Sequence, residues 1–276
     1  MDFIQDYPLS TQELLHFPLM FPDALKKYHV PGIPWASIDG LYDYADYWGI
    51  QNGTVRTCLS RMKGEGMIVP VELRGITHYR ASALQLSIMD NTQFRKKYAK
   101  KGFIIAIFSF SKSQEKERTK MRSLLSYAGF VRFAQNSYIC GGINDDELKE
   151  AIAKEGFSDN VFFFSVPRIE ESETTKLVSA WGIPERKKFL DTFFATLREF
   201  INASEQNPRD IFCRIGRAWV AYIIHVNASE PPLPESVIPE DYPYTDIYTY
   251  LQGLSTKHGK TMYRHWRESN TTRKGT

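Results

Sequence analysis

Between Asn52 and Glu65 the sequence sets Arg56, Thr57, Ser60 and Arg61 opposite Val55, Cys58, Leu59 and Met62. The apolar four recur at i, i+3, i+4, i+7, the spacing of a helix that buries one face. The other face then combines guanidinium groups with small hydroxyls, flanked by Gly53 and Lys63, and Glu65 is the only acid in the stretch. Guanidinium groups suit guanine edges and phosphate oxygens, and small hydroxyls permit close approach, so the face has the chemistry of a helix laid in a DNA major groove. Asn52 and Thr54 stand at the start of this helix, where backbone N–H groups can meet a phosphate.

Such a face acts only if neighbouring elements hold it. Upstream, Leu41, Tyr44, Ala45 and Trp48 form a second helical stripe, and Gly49 ends it. Downstream, Met67–Leu73 and Ile76–Arg80 are β-prone runs about an Arg74-Gly75 turn. Helix, turn, helix, hairpin is the order of a winged helix-turn-helix. In that arrangement Arg74, His78, Tyr79 and Arg80 of the hairpin are expected beside the DNA backbone or minor groove. Residues 1–35 contain Pro8, Pro18, Pro22, Pro31 and Pro34, which predict short helices joined by turns, one of them capped by Ser10 or Thr11.

The basic run Arg95–Lys101 reads as a helical linker into a second unit. There, Phe103–Phe110, Phe130–Gln135, Ser137–Cys140 and Val161–Val166 read as strands. Helical stripes at Met121, Leu124, Leu125, Ala128 and at Leu148, Ala151, Ile152 separate them. The βαββαβ order predicts a ferredoxin-like sheet with both helices on one face. Beyond Pro167 the pattern is mainly helical, with helices after Pro184, from Pro208 to Val226, and around Thr245–Leu254. The basic, polar tail after Lys257 reads as loose. The fold class is therefore α+β. Its expected divisions are a winged helix domain over 1–90, a ferredoxin-like dimerisation domain over 91–170 and a helical domain over 171–276.

Charge favours a nucleic-acid partner: residues 36–101 hold ten Lys/Arg against six Asp/Glu, a local excess of four where the whole chain carries +3. Cys58, Cys140 and Cys213 lie far apart and form no metal-binding or disulfide framework, so no metal or cofactor is expected. No apolar run reaches the ~20 residues of a membrane span. The acidic start lacks the basic and apolar regions of a secretory signal, and a cytoplasmic protein is expected. Catalytic signatures (GxSxG, GxGxxG, a phosphate-binding loop) are missing, and the six histidines show no diagnostic spacing to an acid or nucleophile. No catalytic residue is assigned.

Three stretches together resemble the PaaX-type repressors of aromatic-acid catabolism, a family named for the phenylacetate pathway. They are Trp48-Gly49-Ile50 with Thr54–Met62 and Gly66; Arg118, Arg122, Leu125, Gly129-Phe130 with Asn136–Ile139; and Leu233-Pro234 with Ile238–Pro243. Three departures stand out: Tyr242 where tryptophan is usual, Gly141-Gly142 where proline is common, and an Arg74-Gly75-Ile76 turn without a second basic residue. The resemblance implies a non-enzymatic homodimer bound to palindromic double-stranded operator DNA and released by an acyl-CoA thioester such as phenylacetyl-CoA. Arg209, Arg214, Arg217, Trp219 and Tyr222 put cations and aromatics on one C-terminal helix and are the candidate effector residues, expected in a cleft beside the central sheet. Two alternatives compete. One is a metal-dependent nuclease built on the ferredoxin-like unit, which is similar to that of CRISPR-associated adaptation nucleases. It is disfavoured because Ser109-Phe110-Ser111-Lys112 supplies no carboxylate at the first strand's end, while Asp145 and Asp146 read as helix-opening acids. The other is a dimeric protein-interaction module without DNA binding.

Overall fold

A computed structural model describes residues 7–24, 35–73, 75–82, 100–142, 146–204, 207–227, 230 and 238–271. The chain forms two compact units, one of residues 1–90, 191–228 and 243–276, the other of 91–190 and 229–242. The segment 171–276, read from sequence as one helical domain, is thus shared between them.

The first unit opens with helix α1 (Thr11–Ala24), started by a reciprocal cap: Ser10 Oγ accepts from the Glu13 N–H at 3.3 Å, and the Ser10 N–H donates to Glu13 Oε2 at 2.6 Å. The helix continues through Pro18 and Pro22 for 14 residues, which corrects the breaks expected at those two prolines; Pro31 and Pro34 lie outside the described residues. Burial outweighs the proline penalty, because Leu14, Leu15, Leu19 and Phe21 are all buried. Strand β1 (Ala36–Ser37) leads into α2 (Ile38–Tyr47), whose N-cap Ser37 accepts from the Gly40 N–H at 3.0 Å. Gly49, at φ 71, makes the turn into α3 (Asn52–Gly64). Strands β2 (Ile68–Leu73) and β3 (Ile76–Ala81) pair antiparallel from Leu73↔Ile76, with Gly75 at φ 72 in their tight turn. β1 adds to the other side of β3, giving the order β1-β3-β2 and leaving Pro70 on an edge strand, where its missing N–H costs no ladder bond.

In the second unit β4 (Lys100–Phe108), α4 (Glu115–Tyr127), β5 (Val131–Ala134), β6 (Ser137–Gly142), α5 (Asp146–Lys154) and β7 (Val161–Val166) follow the expected order. The antiparallel sheet runs β5-β6-β4-β7, the ferredoxin-like arrangement. Ile104, Ala106 and Phe108 alternate toward Met121 and Leu125 of α4 and Leu148 and Ile152 of α5, all buried in one cluster. Lys100 and Lys101 belong to β4 rather than to a helical linker, and residues 95–99 lie outside the described residues, as does Asp145.

Helices α6 (Glu171–Ala180), α7 (Ile183–Asn202), α8 (Pro208–Ala221) and α9 (Tyr244–Thr271) follow, with a π-helical turn at Tyr222–Asn227 prolonging α8. The loose tail expected after Lys257 is corrected as far as Thr271: α9 runs 28 residues and buries Ile247, Leu251, Met262, Trp266 and Asn270, while residues 272–276 lie outside the described residues. Its apolar residues are too sparse to stand out among Lys and Arg, yet their spacing keeps one face inward. Among the described residues no helix is long and apolar enough to cross a membrane.

α8 and α9 complete the core of the first unit. Phe212 of α8 meets Phe17 and Phe21 of α1 at 5.3 and 5.0 Å, Tyr44 of α2 at 5.8 Å and His265 of α9 at 5.4 Å between ring centroids. Gly216, one turn on, leaves room for the Phe17 ring, which a Cβ there would strike. Gly216→Ala is therefore expected to lower stability by about 1–3 kcal/mol, as overpacking does, read as a fall in denaturation midpoint.

Candidate nucleic-acid interface

The two faces of α3 separate as the sequence predicts. Val55 and Met62 are fully buried and Cys58 and Leu59 nearly so. Asn52, Thr54, Arg56, Thr57, Ser60, Arg61 and Lys63 are all exposed on one 13-residue helix that contains no acidic residue. The Thr54 N–H is already used, donating to Gln51 O at 3.0 Å, and Thr57 Oγ1 donates back to Gly53 O at 3.0 Å. Arg56 Nε donates to Tyr42 Oη of α2 at 2.5 Å, and its guanidinium carbon lies 5.6 Å from the Tyr42 ring centroid. Arg61 Nη2 donates to Gln12 Oε1 of α1 at 2.7 Å. Neither Tyr42 nor Gln12 was singled out from sequence, since the contacts span 14 and 49 residues and obey no local spacing.

The hairpin departs from expectation. His78 is buried at 2% exposure, with Nδ1 2.9 Å from Ile76 O, and is removed from the DNA-facing set. The reason is its place in β3, the middle strand, where Ser37 flanks it on one side and Val71 on the other while α1 packs on the sheet. Tyr79 is half-buried, and burial, with Tyr42 and Glu72 nearby, raises its phenol pKa. Arg74 lies outside the described residues. Arg80 is exposed, its guanidinium 4.8 Å over the Trp35 ring.

The five residues assigned to an effector, four on α8 and Tyr222 at the start of the π-helical turn, hold the first unit together instead. Arg209 Nη2 donates to Asp43 O at 2.8 Å and to Asp46 Oδ2 at 3.0 Å, so it grips α2. The Asp43 carboxylate lies 3.3 Å from Arg209 Nε and 3.6 Å from His265 Nε2 of α9. Arg214 donates to Asp210 Oδ1, Tyr47 Oη and Phe200 O at 2.8, 3.1 and 2.8 Å. Arg217 is 2% exposed, with its guanidinium carbon 5.1 Å from the Trp48 centroid and Nη2 3.4 Å from Tyr7 O. Trp219 donates from Nε1 to Ser255 Oγ at 2.8 Å and meets Tyr222 and Tyr248 edge-on, and Tyr222 is buried. These cations are engaged by acids, carbonyls and rings of their own unit, which corrects the expectation that they line a ligand cleft.

Asp210 is the centre of this cluster. Burial alone would raise its pKa, but hydrogen bonds from Ser204, Tyr47 and Arg214 hold the carboxyl below its ordinary value. The Tyr47 phenol, half-buried and donating to that carboxylate, is pushed up to about 12. A depressed carboxyl contributes stability above its unfolded pKa of about 3.9 and loses it as pH falls through the folded value. Asp210→Asn should thus cost about 2 kcal/mol near neutral pH, and thermal melts should show the deficit fading in acid below about pH 4.

At the end of β4, where a nuclease would carry a metal-binding carboxylate, stand Ser109, Phe110 and Ser111. Arg118 Nη2 donates to the Phe110 and Ser111 carbonyls at 3.2 and 3.1 Å, and Asn160 Nδ2 to Ser109 O at 3.0 Å. Nearby Glu115 pairs with Arg118 and, at 3.7 Å, with Arg122. The strand end is occupied by structural bonds.

Comparison with known proteins agrees with this description. Residues 98–178 match the family model described as the PaaX protein central Cas2-like domain. In fold the chain is similar to the uncharacterized protein Rv0674 from Mycobacterium tuberculosis, with a TM-score of 0.62 and 14% identity over 93% of this chain and 98% of that one. No curated protein matches the chain. The resemblance carried by the three sequence stretches is borne out where the family model reaches, over residues 98–178, which are similar to the Cas2-like central domain of PaaX proteins.

Proposed function

We propose that the protein is a DNA-binding transcriptional regulator of a catabolic operon, acting as a repressor through its winged helix unit. The observation that carries this reading is α3, which offers Arg56, Thr57, Ser60, Arg61 and Lys63 to solvent without a single acid while its opposite face is buried. A helix so anchored presents guanidinium and hydroxyl donors at a fixed orientation, the requirement for reading base edges in a major groove. The PaaX-type central domain supports the same class of function. Release by an aryl-acyl-CoA, implied by the family resemblance, belongs to this proposal. Such an effector would be recognised by groups other than Arg209, Arg214 and Arg217, whose charges are already engaged.

The homodimer the reading requires is supported by the second face of the central sheet. Opposite α4 and α5, Phe162 and Phe164 of β7 are 61% and 51% exposed, and Ile107, the register neighbour of Phe162 on β4, is 40% exposed. Contiguous exposed apolar side chains of this size are a hallmark of association surfaces.

Two measurements test these points. The double variant Arg56→Ala/Arg61→Ala should lose at least tenfold in affinity for a duplex selected by the wild-type protein from a randomised pool, and show a shallower salt dependence, with its circular dichroism unchanged. Unchanged affinity would instead favour the protein-interaction module, for which those arginines are solubilising charges. Phe162→Glu/Phe164→Glu should sediment as a monomer where the wild type sediments as a dimer.

A further inference from the structure

The polar face of α3 is not a set of independent side chains. Two of its cations are each fixed by a residue from a different helix, and the two attachments use different chemistry. At Arg56, Tyr42 Oη accepts from Nε while the ring lies beside the guanidinium. This contact uses the inner nitrogen and leaves both terminal nitrogens, the pair that forms a bidentate fork, without a partner among the described residues. At Arg61, Gln12 Oε1 accepts from Nη2, and the other end of the same amide donates from Nε2 to Met67 Sδ at 3.3 Å. Arginine has only donors, so the amide must turn its oxygen to Arg61, and the Met67 contact at the start of the hairpin holds it there. A chain of contacts therefore runs from the hairpin through α1 to one end of α3, and another from α2 to its middle.

An exposed arginine is rich in rotamers, and ordering it on binding opposes affinity. Where the protein orders the side chain beforehand, that opposition falls for the one geometry it holds. We propose that Tyr42 and Gln12 are positioning residues that set base selectivity, by holding Arg56 and Arg61 in the geometry that reads the operator. The inference rests on the DNA-binding reading of α3 and goes beyond it. Attraction to any duplex depends on the number of cations, whereas discrimination between duplexes depends on where their donors point.

The experiment compares Tyr42→Phe, Gln12→Ala, Arg56→Ala and Arg61→Ala on two probes: a duplex selected by the wild type from a randomised pool, and a scrambled duplex of the same composition. Tyr42→Phe keeps the ring and removes only the acceptor, and both positioning changes lie on partly exposed side chains. Each positioning variant should reduce the selected-to-scrambled affinity ratio by about 2- to 10-fold while leaving scrambled affinity and salt slope at wild-type values. The arginine variants should lose the ratio and also bind scrambled duplex more weakly. If the positioning variants keep the full ratio while the arginine variants lose it, the inference is overturned and the DNA reading survives. Equal weakening on both probes by Tyr42→Phe or Gln12→Ala would also overturn it, since general destabilisation predicts that pattern. If the arginine variants bind the selected duplex as the wild type does, the DNA reading of α3 fails and the inference falls with it.

Discussion

The aromatic ring of Phe212 is the point on which the first unit is assembled. It stands on α8, late in the chain, yet touches rings of α1, α2 and α9. Three short helices and a hairpin have too little apolar surface to bury alone, so their inward stripes need a cover. Here the cover comes from 191–228 and 243–276, which cluster with residues 1–90. Burial of Tyr44 and Leu41 of α2 follows from that cover, and the position of α3 against α2 follows in turn.

The same constraint separates two groups of arginines that look alike in sequence. Arg209 and Arg214 lie within reach of Asp43, Asp46 and Asp210, and their hydrogen bonds fasten α8 to α2 and to the end of α7. Arg56 and Arg61 hydrogen-bond neutral acceptors, a phenol and an amide. A guanidinium paired with a carboxylate has much of its charge neutralised; one resting on a neutral acceptor keeps its full charge for an anionic partner. Chemistry of the neighbours, rather than of the arginines, divides scaffold from candidate interface.

In the second unit the ferredoxin-like sheet keeps one face for its own helices and leaves large apolar side chains on the other. The strand end at which a metal-dependent nuclease would need an acid is taken up by Arg118 and Asn160 bonding to carbonyls. The groups present there stabilise a turn.

Periodicity was sufficient wherever one element decides its own burial. The stripes at Leu41–Ala45, Val55–Met62 and Met121–Leu125, the tight turn at Gly75 and the βαββαβ order all follow from spacing of three to four residues or of two, which side-chain geometry imposes locally. Failures came where burial is set by distant partners. Pro18 and Pro22 stay inside a helix because α1 is clamped by α8, the stretch from Lys257 to Thr271 is helical because Met262 and Trp266 find a core, and His78 is buried because β1 makes its strand the central one. The same holds for the candidate site: the residue types on the exposed face of α3 were determined by the sequence alone, while Tyr42 and Gln12, and the engagement of the α8 arginines, were decided by tertiary contacts that bring together residues from 14 to more than 160 positions apart. Local spacing fixes which way a side chain points on its own element, and only the packing of elements fixes what it meets.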